Sequence, residues 1–310
     1  MTAPAAATGT ATATTILDAQ LGADRAAIGA ALQRISDRYL EGIPNVVADA
    51  IRYSLGGEGK RLRAILCLAA YRAAGGTRDA TDLAAVLEVV HAYSLVHDDL
   101  PCMDDDDMRR GRPTVHRVFG VRAAAAAGLA MVPLAAQCVA RAGRALELPE
   151  EACGTILREL MRAAGAAGMI GGQLLDIEGE GRDLSLDELE RIHRLKTGAL
   201  VTASVHLGGI AAGAGPDALN ALRGYGAAVG LAFQIADDVL DVTATTDQLG
   251  KTAGRDRALR KSTYPAQLGV DGAVARATAL VDDACASLAR GGLLTPALER
   301  LARFTVSRRS

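Results

Sequence analysis

Six aspartates stand within ten residues in the segment His97-Asp98-Asp99-Leu100-Pro101-Cys102-Met103-Asp104-Asp105-Asp106-Asp107. Carboxylates this dense repel one another unless a cation neutralises them. A hard divalent ion such as Mg²⁺ suits carboxylate oxygen and commonly bridges one or two carboxylates to substrate phosphates. Standing alone, the run reads equally well as a solvated acidic loop. It does not stand alone. Phe233-Gln234-Ile235-Ala236-Asp237-Asp238-Val239-Leu240-Asp241 sets three more aspartates in an apolar run, and the spacing puts Asp237 and Asp241 on one helix face. Charges on a buried helix need partners. Two such sets facing one cavity would hold several Mg²⁺ ions on a diphosphate.

Basic turns alternate with the acidic segments. Gly56-Gly57-Glu58-Gly59-Lys60-Arg61-Leu62-Arg63 is a glycine-rich bend followed by cations, and Arg109-Arg110-Gly111-Arg112 directly follows the first acidic run. Lys196-Thr197-Gly198, Lys251 and Lys261 add further positive charge. Glycine lets backbone approach a phosphate, and arginine pairs with it bidentately. A basic turn is commonly only solvated surface, but this alternation fits a site for two diphosphates plus metal.

Helices must carry these groups. Of the 310 residues, 50% are hydrophobic and only 3% aromatic, with no tryptophan. The dominance of alanine and leucine over β-branched residues favours helix. Ile28, Leu32, Ile35 and Leu40 mark one helical stripe, and Ser185-Leu186-Asp187-Glu188 is a capping box. No convincing alternating strand and no domain-boundary linker interrupts the pattern. The expected architecture is all-α: a single-domain antiparallel helical bundle around a central cavity, covering residues 21–310 after a disordered tail over residues 1–20. The tail lacks the basic start and apolar centre of a signal peptide. The longest apolar run, Ala123 to Leu134, is too short to span a bilayer. A formal net charge of −2 selects neither nucleic acid nor membrane. Five dispersed cysteines fit a reducing cytoplasm better than a disulfide framework.

Taken together, the motifs Gly59-Lys60-Arg61-Leu62-Arg63, Asp98-Asp99 with Asp104 and Arg109-Arg110-Gly111, Gly171-Gly172-Gln173, Lys196-Thr197-Gly198, and Gln234 with Asp237, Asp238 and Asp241 resemble those of the trans-isoprenyl diphosphate synthases. The resemblance runs from about Tyr53 to the C-terminus and is nearest to the bacterial farnesyl diphosphate synthases, which share the Leu-Pro insertion at Leu100-Pro101. It implies a homodimer of all-α subunits acting on isopentenyl diphosphate and an allylic diphosphate. It places metal on Asp98, Asp99, Asp104, Asp237, Asp238 and Asp241. The allylic diphosphate falls to Arg109, Lys196, Thr197, Gln234, Lys251 and Lys261. Isopentenyl diphosphate falls to Lys60, Arg63, His91 and Arg110, with Arg61 adjacent. Growth of the prenyl chain would stop at a bulky side chain before Asp98. Tyr93 and Ser94 lie four or five positions earlier, roughly 6–8 Å deeper along the helix. The tyrosine ring is the larger obstacle, so the expected product is farnesyl diphosphate, with geranylgeranyl diphosphate second.

One helix departs from the family pattern. Ala127-Gly128-Leu129-Ala130-Met131 carries leucine where relatives usually have aspartate, and Pro133 follows four residues on. The departure is either neutral drift or a reshaped pocket, and it keeps a regulatory-subunit role open. Two Glu-x-x-His steps, Glu88 with His91 and Glu190 with His193, raise the alternative of a di-iron helical bundle. That reading leaves both aspartate sets and every basic turn unexplained. A class I terpene cyclase fits poorly, because the second motif is all aspartate and aromatics are scarce.

Overall fold

The segment Ala199–Ala211 is apolar on every side, a pattern that only a helix enclosed by other helices can tolerate. The computed structural model, which describes residues 7–42, 45–243 and 261–307, places it at the centre. The helices in chain order are α1 (Ala7–Leu40), α2 (Val46–Leu55), α3 (Leu62–Ala73), α4 (Thr81–Asp98), α5 (Val115–Phe119), α6 (Val121–Ala145), α7 (Glu150–Ala164), α8 (Met169–Glu178), α9 (Leu186–His193), α10 (Ala199–Ala211), α11 (Pro216–Thr243), α12 (Tyr264–Arg290) and α13 (Pro296–Ser307). Central α10 packs on α3, α7 and α11; α4 packs on α6, α1 and α3; and α11 lies along α12. One continuous core joins them, and the architecture is the expected all-α bundle.

Three local features differ from the sequence expectations. Helix α1 begins at Ala7, inside the stretch that composition marks as a tail. Alanine, the strongest helix former, continues a helix anchored further on by Asp24, Ile28, Ala31 and Leu32, all buried. A short hairpin, β1 (Met108–Arg109) with β2 (Arg112–Pro113), follows the first acidic run. Its two turn residues, Arg110 and Gly111, both have positive φ (52° and 73°), the backbone of a tight hairpin turn. Finally, α6 runs unbroken through Pro133, and Leu129 is 67% exposed. Neither residue is among those that line the central cavity. By length and composition α6 could cross a membrane, but half of its most apolar window is buried in the bundle.

Candidate active site

Helix α4 turns one face to a cavity of about 1090 Å³, lining it with Glu88, His91, Ser94, Leu95 and Asp98. These positions recur at helical spacing, so a single stripe carries them all. The α11 stripe facing the same cavity holds Phe233, Gln234, Asp237, Asp238 and Asp241. The two acidic motifs, far apart in sequence, therefore confront each other across one space.

Consecutive residues on a helix point about 100° apart, so Asp98 and Asp99 cannot face the same way. Asp98 lines the cavity. Asp99, 3% exposed, turns instead to Arg109 at 2.6 Å. Asp104 returns to the cavity because the inserted Leu100-Pro101 loop folds back, its backbone N–H donating to the Asp98 carbonyl at 2.8 Å. Burial pushes the Asp98 carboxyl up to about 6; the pull of Lys196 offsets this only in part, and repulsion from Asp104 adds to the rise. Burial also pushes Asp99 up to about 6, against the pull of Arg109. Carboxylates raised by burial are relieved by a divalent cation, which would neutralise them. Yet among the described residues no three carboxylate, imidazole or thiol groups converge closely enough to hold a metal ion unaided. The donor set fits Mg²⁺ that completes its shell with substrate oxygen and water.

On α11, Asp238 is consumed by a buried network. It accepts from the Tyr264 N–H at 3.1 Å, His193 Nε2 lies 3.2 Å away, and Gln234 Nε2 donates to it at 3.4 Å. Gln234 Oε1 in turn accepts from the Thr197 hydroxyl at 2.8 Å. Lys196 and Thr197 occupy a π-helical turn, Arg194–Gly198, whose wider coil brings both toward the cavity. Gly172 of α8 makes this possible. A Cβ there would lie 2.2 Å from the Lys196 backbone nitrogen, so only glycine admits the contact.

The cations form two groups. Arg61, Arg63 and Arg110 cluster about His91, and Lys60 lines the same cavity. Burial and the guanidiniums of Arg63, Arg110, Arg109 and Arg61 hold His91 well below its ordinary value, so it is neutral and can donate without adding charge. The β-hairpin orients this wall. Tyr53 pins it by donating its hydroxyl to the Pro113 carbonyl at 2.8 Å, and Arg112 lies 4.0 Å above the Tyr53 ring. Arg109 then reaches Asp99 while Arg110 donates to the Glu58 carbonyl at 2.9 Å. Lys196 and Lys261 form the second group, and each places Nζ 2.7 Å from Asp176 Oδ2. Lys251 lies outside the described residues. Tyr93 does not line the cavity; it is buried behind the α4 surface, edge-on to His97 with ring centroids 5.2 Å apart. Ser94 is on the lining surface.

Asp176 was not among the residues singled out from sequence, although it follows Gln173 at helical spacing and shares its face. Burial opposes its charge, but the ammonium groups of Lys196 and Lys261 win and hold it at about 2. A carboxyl whose folded value is depressed stabilises the fold above its unfolded value and loses that contribution as pH falls. Asp176→Asn should therefore lower stability at pH 7 by about 2 kcal/mol, with the gap from wild type closing between about pH 4 and pH 2. Urea unfolding at pH 7 and pH 3 checks this; a gap that does not change with pH would mean that charge is not the cause. Glu88 and Glu190, the acids of the two Glu-x-x-His steps, are each committed to arginine: Glu88 to Arg61, and Glu190 to Arg194 and Arg276.

Known proteins resemble this chain in sequence and in fold. The family model described as polyprenyl synthetase matches residues 44–287. The farnesyl diphosphate synthase of Escherichia coli (strain K12) is 47% identical over 267 residues, covering 84% of this chain and 89% of that protein. The chloroplastic geranylgeranyl pyrophosphate synthase of Catharanthus roseus is 43% identical over 239 residues, 76% of this chain and 66% of the relative's length. The crystal structure of an FPP/GFPP synthase from Zymomonas mobilis in its apo form superposes with a TM-score of 0.81 at 31% identity, covering 93% of this chain and 99% of that one. The chain belongs to the polyprenyl synthetase family.

Proposed function

We propose that this protein is a Mg²⁺-dependent short-chain trans-prenyltransferase. It condenses isopentenyl diphosphate with dimethylallyl or geranyl diphosphate to give mainly farnesyl diphosphate, with geranylgeranyl diphosphate as the second reading. The observation that carries the proposal is the confrontation of Asp98 and Asp104 with Asp237 and Asp241 across one cavity whose cations fall into two groups. Two diphosphates need two cationic sites, and chemistry between them needs both sites in one space.

In this reading Asp98, Asp104, Asp237 and Asp241 hold the metal. Asp99 and Asp238 act through Arg109 and Gln234, which they orient. Lys196, Lys261 and Arg109 take the allylic diphosphate, as Lys251 does in the family resemblance. Lys60, Arg61, Arg63, Arg110 and neutral His91 take isopentenyl diphosphate. Bound Mg²⁺ supplies Lewis-acid assistance to diphosphate departure. The allylic C1–O bond breaks with its electron pair leaving on oxygen. The Thr197 and Gln234 oxygens face the positive charge left on the allyl group and stabilise it electrostatically. The double bond of isopentenyl diphosphate then gives its pair to C1, and the proton that is lost passes to the departed diphosphate. The enzyme works as a homodimer in the cytoplasm, a state that sedimentation of the purified protein would test.

The direct test supplies isopentenyl diphosphate with dimethylallyl, geranyl or farnesyl diphosphate, with Mg²⁺ or with EDTA. A C15 product from the first two, and none in EDTA, is expected. Absence of elongation by the protein alone would favour the regulatory-subunit reading. Chain length has its own test. Tyr93 backs the α4 wall behind Ser94 and Leu95, so Tyr93→Ala should open space there and shift product toward C20 or longer. An unchanged product distribution would show that the stop lies elsewhere.

A further inference from the structure

Helix α8 presents Met169, Gln173 and Asp176 to the cavity. At 1.5 Å rise per residue, Gln173 sits about 6 Å from Met169 and about 4.5 Å from Asp176 along the axis. Asp176 marks the diphosphate end, because Lys196 and Lys261 converge on it. Met169 marks an apolar end. Gln173 thus lies at the junction, the level at which a bound allylic diphosphate changes from phosphate to hydrocarbon.

The side chain of Gln173 is 5% exposed. Both its amide oxygen and its amide nitrogen are shut off from solvent and have no hydrogen-bond partner among the described residues. An unpaired buried amide destabilises a fold, whereas an apolar side chain of equal size does not. The backbone around it is fixed, since Gly172 abuts the Lys196 backbone and leaves α8 no room to move closer. The unsatisfied amide belongs to a residue on the wall of a reaction cavity, and a turn of the side chain toward that cavity would give it a partner in the ligand.

We infer that Gln173 is a further catalytic residue, whose amide N–H donates to the allylic diphosphate oxygen that leaves C1. The inference rests on the proposed prenyltransferase reading. As the C1–O bond breaks, its electron pair stays on that oxygen and the allyl group keeps the positive charge. The amide donor meets the growing negative charge and gains strength as the bond lengthens. The positive charge is discharged when the isopentenyl double bond attacks C1 and its proton goes to the diphosphate. Gln173 neither gives up nor receives a proton.

The test compares wild type with Gln173→Leu and Gln173→Met in single-turnover rapid quench, using geranyl and isopentenyl diphosphates with Mg²⁺. The expected result is a fall of about 100-fold in the single-turnover rate, with KM for both substrates within about threefold of wild type. The thermal midpoint of both variants should hold or rise, because the unpaired amide is gone. A single-turnover rate within about twofold of wild type in either folded variant would overturn the inference. Wild type that makes no prenyl product would instead overturn the proposed function, and this inference with it.

Discussion

Asp98→Ala or Asp237→Ala should lower kcat/KM by about three orders of magnitude, equivalent to about 4 kcal/mol of transition-state stabilisation. The two residues stand on α4 and α11 and face each other across the cavity, so each removes one side of the proposed metal clamp. With no preformed cluster among the described residues, affinity for Mg²⁺ depends on every carboxylate that joins the diphosphate. The instructive control is Asp107→Ala. Asp107 belongs to the same acidic run but is exposed and pairs with Arg117 at 3.2 Å. Its loss should leave kcat/KM within about twofold, as for a surface ion pair. Steady-state kinetics of the three variants with saturating Mg²⁺ checks both halves. Equal losses at Asp98 and Asp107 would return the run to a general acidic patch. Full activity in EDTA would refute the metal assignment.

The second large effect needs no charge at all. Gly172→Ala places a methyl group 2.2 Å from the Lys196 backbone nitrogen and 2.6 Å from its Cα. The obstacle is backbone, which cannot swing aside as a side chain would. Either α8 or the π-helical turn must shift, at a cost of about 3 kcal/mol in an already packed interior. Lys196 and Thr197 ride on that turn, so they move with it. A displacement near 1 Å in positioning groups costs about 100-fold in rate. The expected outcome is a lowered thermal midpoint together with a roughly 100-fold fall in kcat/KM. Gly224→Ala, where an added Cβ meets nothing within 4 Å inside α11, provides the control and should leave kcat/KM unchanged while holding or raising the thermal midpoint. Normal kinetics in Gly172→Ala would show that the turn tolerates the shift.

The helical class is legible in the residues alone. Low aromatic content, breaker spacing and the 3.6-residue apolar period are local properties, readable without coordinates. The capping box at Ser185 is present in the fold, the Ser185 N–H donating to the Glu188 carboxylate at 2.8 Å. The aspartate and arginine motifs stand out because acidic and basic clusters in alternation point together to metal and phosphate, where either alone reads as solvated surface.

The different surroundings of these residues come from long-range packing. Asp98 and Asp99 are equivalent in a motif, but a helix sends neighbouring side chains in different directions, and Arg109 waits on one side only. Asp238 likewise differs from Asp237 because His193 and the Tyr264 backbone reach it from other elements. Asp176 matters through Lys196 and Lys261, which lie 20 and 85 residues away in sequence. The exposure of Leu129 and Pro133 on α6 depends on which face that helix turns inward. Each of these outcomes depends on long-range packing, which fixes the direction of a side chain and the identity of its neighbours; the local pattern fixes only its type and its period.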